Sequence, residues 1–126
     1  GEAGARRVVP LEVSGPFHSS LMRPAADKLA GELAAVRFRD PAVPVVANVH
    51  ARPETRGDRW PELLAEQVVS PVLWEDSVRH LIAEGVDTFV EIGPGTVLAG
   101  LIRKIDRSVR VVSVNGAEAV KSFDIA

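Results

Sequence analysis

The chain of 126 residues contains no cysteine. This absence excludes a disulfide framework, a thiolate nucleophile and a zinc–thiolate cluster. The chain also lacks any stretch near the roughly 20 uninterrupted apolar residues of a membrane-spanning helix, and its first residues lack the apolar core of a signal peptide. We therefore expect no membrane as a partner and a cytoplasmic location.

Blocks of like charge are absent as well. The 15 basic and 17 acidic residues are interspersed and leave a formal net charge of -2, so the sequence gives no indication of nucleic acid as a partner. One local basic group, Arg103, Lys104 and Arg107, falls near the end of a predicted helix, where cations complement the helix dipole. The composition, 46% hydrophobic and 25% charged, is typical of a globular unit of one domain or less.

The apolar periodicity predicts an alternation of strands and helices. Strands are predicted over residues 9–13, 43–49, 86–92 and 109–114. Helices are predicted from a cap at Ser19 or Ser20 through residue 36, and over residues 60–68, 74–82 and 97–105. Residues 52–59 are assigned to an exposed loop, and those after Asn115 to a terminal tail. This order indicates an α/β fold with a mostly parallel sheet and flanking helices.

Ligands of α/β sheets collect at the carboxyl ends of the strands, so the segment after residue 13 is informative. There Gly15-Pro16 ends the predicted strand, and His18 precedes a helix N-terminus, whose dipole disfavours the imidazolium form. Such a histidine can act as a base. Taken alone, a single histidine is more often a capping or packing residue.

A second informative turn is Gly93-Pro94-Gly95, which leads from a predicted strand into a helix. Its glycines would let an anion approach the helix amides. It lacks the G-x-G-x-x-G spacing and the lysine–serine pair of a P-loop. The turn is therefore either an anion site or a simple connection.

The other candidates have structural interpretations. His50 fits a loop position and His80 a solvent-facing helix position, and the three histidines lack metal-ligand spacing. Glu75 and Asp76 lie near a helix start, where they would complement the dipole. The sequence indicates no metal and no cofactor.

Three separated strings of residues change the interpretation. They are PLEVSGPFHSSLMRPAA at 10–26, QVVSPVLW at 67–74 and FVEIGPGTVL at 89–98. The first closely resembles the histidine-bearing segment of malonyl-CoA:acyl carrier protein transacylases, and the others resemble the second and third signatures of that family. Order and spacing also agree, and the likeness runs from about Arg6 to Asn115. It implies the C-terminal part of the α/β-hydrolase-like large subdomain of an acyltransferase.

The resemblance implies transfer of malonyl from malonyl-CoA, a substrate rather than a cofactor, to the phosphopantetheine thiol of acyl carrier protein through an acyl-serine, for fatty acid biosynthesis. His18 matches the catalytic histidine of the family. Gln67 matches the residue whose backbone carbonyl orients the imidazole, which would fix its tautomer without an aspartate. Phe17 matches a substrate-binding position that, in related polyketide acyltransferases, accompanies malonyl rather than methylmalonyl selection.

The nucleophile of the family lies in a G-H-S-x-G elbow, and none of the eight serines of this chain has that context. The G-Q-G string and the malonyl-binding arginine of the family are absent as well. We therefore expect residues 1–126 to form a single unit, the C-terminal portion of an acyltransferase domain, that is inactive alone. Its expected partner, besides acyl carrier protein, is the N-terminal half of the same enzyme, supplied as a separate chain.

Two other functions remain open at this stage. One is a noncatalytic module that binds acyl carrier protein or a partner subunit with the same half-fold. The other is an anion-binding module centred on Gly93-Pro94-Gly95. Retention of Phe17, His18 and Gln67 together favours the catalytic interpretation, because pure binding does not require a base with its orienting carbonyl.

Overall fold

The computed structural model describes residue 4, residues 8–10 and residues 13–123. The helices of this part are α1 (Arg23–Leu33), α2 (Trp60–Glu66), α3 (Trp74–Ala83), α4 (Val97–Ile105) and α5 (Ala117–Lys121). The strands are β1 (Val45–Val46), β2 (Pro53–Glu54), β3 (Thr88–Ile92) and β4 (Arg110–Val114). Short 3-10 turns, Ser20–Met22 and Gly57–Arg59, lead directly into α1 and α2.

The second half of the chain forms a β-α-β unit. Strands β3 and β4, rich in β-branched residues, pair in parallel with Thr88 opposite Arg110 and Ile92 opposite Val114. Helix α4 connects them and packs on both, and α3 packs on α4. The side chains of Ala99 and Ile102 on α4 are buried. A parallel pair with a helical crossover confirms the predicted α/β class.

The first half is organised by the packing of α1 against α2. Each helix has a proline in its first turn, where the missing N–H costs no hydrogen bond. Each also has one well-buried side chain, Ala26 on α1 and Leu63 on α2. The pair matters for function because His18 precedes α1 and Gln67 follows α2.

The structure confirms the four predicted helices. Their ends differ slightly from the expected positions, since α1 stops at Leu33 and α2 at Glu66. Residues 34–36 continue α1 only as turns, with Val36 N–H donating to the Leu33 carbonyl. Ser19 precedes the 3-10 turn as expected of a cap, but its hydroxyl makes no capping hydrogen bond. Gly85 follows α3 in the left-handed region, with φ of 92°, as is typical of a glycine at the C-terminal end of a helix.

The predicted buried strand over residues 43–49 is wrong in length and direction. Only Val45–Val46 is extended, and it pairs antiparallel with Pro53–Glu54. Residues 48–50 form a turn, which the Ala51 N–H closes by donating to the Ala47 carbonyl at 2.9 Å. Within the apolar run Ala47 is buried, but Val43 and Val45 are exposed, so the run does not correspond to a long buried strand.

Three further expectations are corrected or fall outside the described residues. The segment 52–59 contains β2 and a 3-10 turn instead of a featureless loop, and the tail after Asn115 contains α5. Of the predicted strand 9–13, residues 11 and 12 lie outside the described part, and residues 9, 10 and 13 have no regular structure. Among the described residues, no helix is long and apolar enough to cross a membrane.

Candidate active site

His18 occupies an unusual backbone conformation in the turn before α1. Its φ is 58°, in the left-handed region that few residues other than glycine adopt. The turn is held by two local hydrogen bonds: the Ser19 hydroxyl donates to the Pro16 carbonyl at 2.7 Å, and the Met22 N–H to the Ser19 carbonyl at 3.0 Å. Strained backbone of this kind persists where the surroundings fix it, and it occurs often at functional sites.

The imidazole of His18 has one defined partner. Its Nδ1 lies 2.8 Å from the backbone carbonyl oxygen of Gln67, which is 49 residues further along the chain. A carbonyl can only accept, so Nδ1 must carry the proton of this hydrogen bond. In the neutral ring, the lone pair is then on Nε2.

Gln67 lies where α2 ends. Its N–H still donates to the Leu63 carbonyl at 3.1 Å, in helical fashion. Its own carbonyl has no i+4 helical partner because residues 67–70 form a turn. The Ser70 N–H donates to it only weakly, at the long distance of 3.4 Å. The carbonyl oxygen of Gln67 is therefore available to the imidazole.

The side chain of Gln67 also forms a hydrogen bond. Its Oε1 accepts a hydrogen bond from Nδ2 of Asn48 at 3.0 Å. Sequence reasoning missed Asn48. The available signal was a polar side chain immediately after an apolar run, at one of the positions where α/β sheets collect functional residues.

Phe17, the third predicted site residue, is next to His18 and remains 58% exposed. Its ring lies over Gly15, where an added β-carbon would be 3.6 Å from the ring carbons Cε2 and Cζ. The structure thus brings an open aromatic surface to the histidine turn. A large exposed ring is available to contact a substrate or another part of a protein.

The Gly93-Pro94-Gly95 turn has the left-handed backbone that glycine permits, with φ of 136° at Gly93 and 89° at Gly95. Two of the helix amides beyond it are already occupied. The Glu91 carboxylate accepts from the Leu98 N–H at 3.0 Å and from the Ala99 N–H at 3.1 Å. This internal anion disfavours the alternative of an anion-binding module at α4, since a ligand would have to displace a tethered carboxylate.

The remaining histidines are separate from His18 in role. His50 Nδ1 accepts the N–H of Arg52 at 3.1 Å, as suits a loop residue. His80 differs from its predicted solvent-facing position, because its Nε2 is enclosed and has no hydrogen-bond partner within the described part of the chain. Within that part, no three potential ligand side chains converge on a metal position.

Comparison with solved structures shows the class of fold. No family model matches the chain. The structure superimposes on the protein MCAT of Streptococcus pneumoniae with a TM-score of 0.90 and 41% identity, covering 96% of this chain and 39% of that one. It superimposes on a malonyl-transacylase in complex with a type II polyketide acyl-carrier protein with a TM-score of 0.89 and 40% identity, covering 96% and 39%. The fold is therefore that of an acyltransferase.

Sequence comparison finds relatives that share one name. The chain is 51% identical over 120 residues to the malonyl CoA-acyl carrier protein transacylase of Bacillus subtilis, covering 95% of this chain and 38% of the relative. It is 47% identical over 118 residues to the enzyme of the same name from Escherichia coli, covering 94% and 38%. Over these 120 and 118 residues the chain is similar to malonyl CoA-acyl carrier protein transacylases. It spans about two fifths of the length of these relatives.

Proposed function

We propose that the chain supplies the general base, and the carbonyl that orients it, for transfer of malonyl from malonyl-CoA to the phosphopantetheine thiol of acyl carrier protein. The observation that carries this proposal is the 2.8 Å hydrogen bond between His18 Nδ1 and the Gln67 carbonyl. It supports the tautomer that a Ser–His pair requires, with the Nε2 lone pair free to accept a proton.

The transfer proceeds in two half-reactions. In the first, His18 Nε2 takes the serine proton as the serine oxygen bonds to the malonyl carbonyl carbon. The carbon–sulfur bond then breaks, and the imidazolium returns the proton to the leaving coenzyme A thiolate. In the second, Nε2 takes the proton of the acyl carrier protein thiol and the thiolate attacks the acyl carbon. The ester carbon–oxygen bond then breaks, and the imidazolium returns the proton to the serine oxygen.

A carbonyl partner suits this cycle. It accepts a hydrogen bond from Nδ1 in both the neutral and the protonated ring, so the orientation of His18 is maintained while Nε2 gains and loses a proton. The acyl-accepting serine is proposed to come from the N-terminal half of the enzyme, because none of the serines in this sequence has the G-H-S-x-G context.

Phe17 is proposed to favour malonyl over methylmalonyl. Its exposed ring stands beside the base, where bulk would leave less room for an α-methyl group. One methyl in an apolar pocket is worth only about 1 to 3 kcal/mol, so the effect is a preference of about 10- to 200-fold. The product, malonyl-acyl carrier protein, is proposed to serve fatty acid biosynthesis.

A noncatalytic module that binds acyl carrier protein is the second candidate. The observation that favours this candidate is the structural match to a malonyl-transacylase solved in complex with its acyl-carrier protein. A binding module, however, has no need to hold a histidine in a left-handed backbone against the carbonyl of a distant turn. The geometry of His18 therefore favours catalysis.

The proposal is tested by combining this chain with a second chain that bears the G-H-S-x-G serine, after the intact mass of each polypeptide has been checked. Transfer of labelled malonyl to acyl carrier protein is then measured. We expect His18→Ala to lower the rate about 100- to 10,000-fold. The matched control is His50→Ala, because His50 is bonded within its own loop.

Equal rates for His18→Ala and His50→Ala would remove His18 from proton transfer. Stable binding of acyl carrier protein with no transfer by the combined wild-type chains would favour the noncatalytic module. Phe17 is addressed separately by the malonyl preference, which does not depend on the absolute rate.

A further inference from the structure

Asn48 contacts both ends of the segment that carries the orienting carbonyl. Its side-chain Nδ2 donates to Gln67 Oε1 at 3.0 Å, at the start of the segment 67–73. Its backbone carbonyl accepts the Leu73 N–H at 2.9 Å, at the end of the segment. Asn48 is therefore bonded to both Gln67, where the chain leaves α2, and Leu73, where it approaches α3.

Two of the backbone hydrogen bonds where the segment leaves α2 are long, although the Val69 N–H donates to the Glu66 carbonyl at 3.1 Å. The Val68 N–H donates to the Ala65 carbonyl at 3.3 Å, and the Ser70 N–H to the Gln67 carbonyl at 3.4 Å. Bonds of that length are at the weak end of the range for backbone amides. The direction of the Gln67 carbonyl is thus not determined by a regular helix, and a tether on the Gln67 side chain restricts it.

Asn48 itself is rigidly placed. It begins the turn after β1, which is closed between Ala47 and Ala51. Both alanines are buried, and Ala51 has a φ of 54° in the left-handed region. A turn with buried ends and a restricted backbone provides a firm base for the amide of Asn48.

The side chains of Asn48 and Gln67 share one cleft, of about 210 Å³. Its other lining residues are Val46, Ala47, Trp60, Leu63 and Leu64, all apolar. Asn48 is exposed and Gln67 is half-buried, so this hydrogen bond forms in competition with water. Its effect is therefore to restrict the direction of the Gln67 side chain rather than to add much stability.

We propose that Asn48 is a positioning residue, which holds the Gln67 carbonyl in line with His18 Nδ1 and thereby sets the tautomer of the imidazole. Asn48 touches no reacting atom. It acts through the side chain of Gln67, the backbone carbonyl of Gln67 and then the ring of His18. This inference rests on the proposed function, in which the tautomer of His18 decides whether Nε2 can accept a proton.

The test reads the tautomer directly. In chain labelled with nitrogen-15 in its histidines, two-bond proton–nitrogen spectra at about pH 8.5, where an ordinary imidazole is neutral, report which ring nitrogen of His18 carries the proton. We expect wild type to be mainly Nδ1–H. Asn48→Ala is expected to move His18 toward the Nε2–H form that a free imidazole prefers.

Gln67→Ala supplies the sharper comparison, because it keeps the backbone carbonyl and removes only the side chain that Asn48 holds. It should shift the tautomer as far as Asn48→Ala does, and the double variant should shift it no further. The matched control is Asn115→Ala, the same substitution at an exposed asparagine after β4. Asn48→Asp should restore the wild-type tautomer, since the Gln67 amide can rotate to donate to a carboxylate.

The transfer rate is the second readout, and we expect Asn48→Ala to lower it about two- to tenfold in the combined chains. If Asn48→Ala does not fold, Gln67→Ala tests the same tether from the other side. A His18 tautomer in Asn48→Ala and Gln67→Ala identical to that of Asn115→Ala would overturn the inference. A shifted tautomer in chains whose wild type transfers no malonyl would uphold the positioning and refute the proposed function.

Discussion

Glu91 caps helix α4 from the preceding strand, with its Oε2 accepting the N–H of Ala99 at 3.1 Å. Its other oxygen, Oε1, accepts the N–H of Leu98 at 3.0 Å. One side chain thus satisfies two of the amides that a helix start leaves open, and it puts a negative charge at the positive end of the dipole. The Gly93–Gly95 turn gives the strand residue access to the helix.

We therefore expect Glu91→Ala to lower the free energy of unfolding by about 1.5 to 3 kcal/mol, the range for hydrogen bonds to a charged group. Glu91→Gln should lose less, because the amide oxygen still accepts one of the two N–H groups. Urea denaturation measures both. Glu32→Ala, at an exposed position of α1, is the control and should change stability by less than about 0.5 kcal/mol. A Glu91→Ala chain as stable as this control would contradict the capping role.

Gly57 joins its 3-10 turn to the segment that precedes β1. Its N–H donates to Asp40 Oδ1 at 2.7 Å, and a β-carbon on Gly57 would lie 2.5 Å from the carbonyl carbon of Arg39. The obstacle is backbone, which cannot move aside as a flexible side chain would. We expect Gly57→Ala to cost about 1 to 3 kcal/mol of the free energy of unfolding.

Gly31 provides the opposite case and the matched control. It lies inside α1, and a β-carbon there would meet nothing within 4 Å. Gly31→Ala should therefore stabilise the chain by about 0.5 to 1 kcal/mol through helix propensity. Equal effects of the two substitutions in urea denaturation would show that crowding against Arg39 does not limit residue 57.

The sequence predicted those parts of the fold whose signal is local. Helices α3 and α4 agree with their apolar periodicity within about a residue at each end, because both have one buried face and a defined stop. The strand predicted at 43–49 failed for a physical reason. Its partner, Pro53–Glu54, contains no β-branched or aromatic residue, so nothing in the sequence marks the antiparallel pairing that ends the strand early.

The site divides in the same way. The local pattern indicated His18 as a possible base, but Gln67 and its relation to His18 could be named only through the family resemblance, because no local pattern relates residues 49 positions apart. For Asn48 the sequence offered only a polar side chain after an apolar run and no indication of its partner, since a hydrogen bond between two side-chain amides depends on how α2 packs beside the turn after β1. Tertiary packing brings these three residues together, and periodicity contains no information about it.

The pKa of the Asp106 carboxyl is expected to depend on the hydrogen bonds that the carboxyl accepts. The Ser108 hydroxyl, at 2.6 Å, and then the Ser108 N–H, at 2.7 Å, hold the pKa of the Asp106 carboxyl below its ordinary value. A pKa lowered by folding means that these bonds stabilise the fold above the unfolded pKa of the carboxyl. That stabilisation is lost as the pH falls through the lower folded pKa.

Ser108→Ala removes the larger of the two causes, so the pKa of Asp106 should rise toward its ordinary value. The variant should be less stable than wild type at neutral pH, and the difference should disappear in acid below the folded pKa. Carbon-13 titration of the carboxyl measures the first effect. Ser122→Ala is the control, because the Ser122 hydroxyl donates to the Glu118 carbonyl and not to a carboxylate. An unchanged Asp106 pKa in Ser108→Ala would show that the N–H alone sets it.

Phe17 is expected to affect selectivity more than rate. Its ring is 58% exposed beside His18, so Phe17→Ala opens space next to the base without leaving a large internal cavity. In the combined chains we expect the ratio of kcat/KM for malonyl-CoA to that for methylmalonyl-CoA to fall by about 10-fold or more, because less bulk then opposes the α-methyl group. Leu21→Ala is the control, since Leu21 is a nearby apolar residue that is 74% exposed. If both variants keep the wild-type ratio, Phe17 does not contact the acyl group, and its ring instead covers Gly15 or packs against another part of the enzyme.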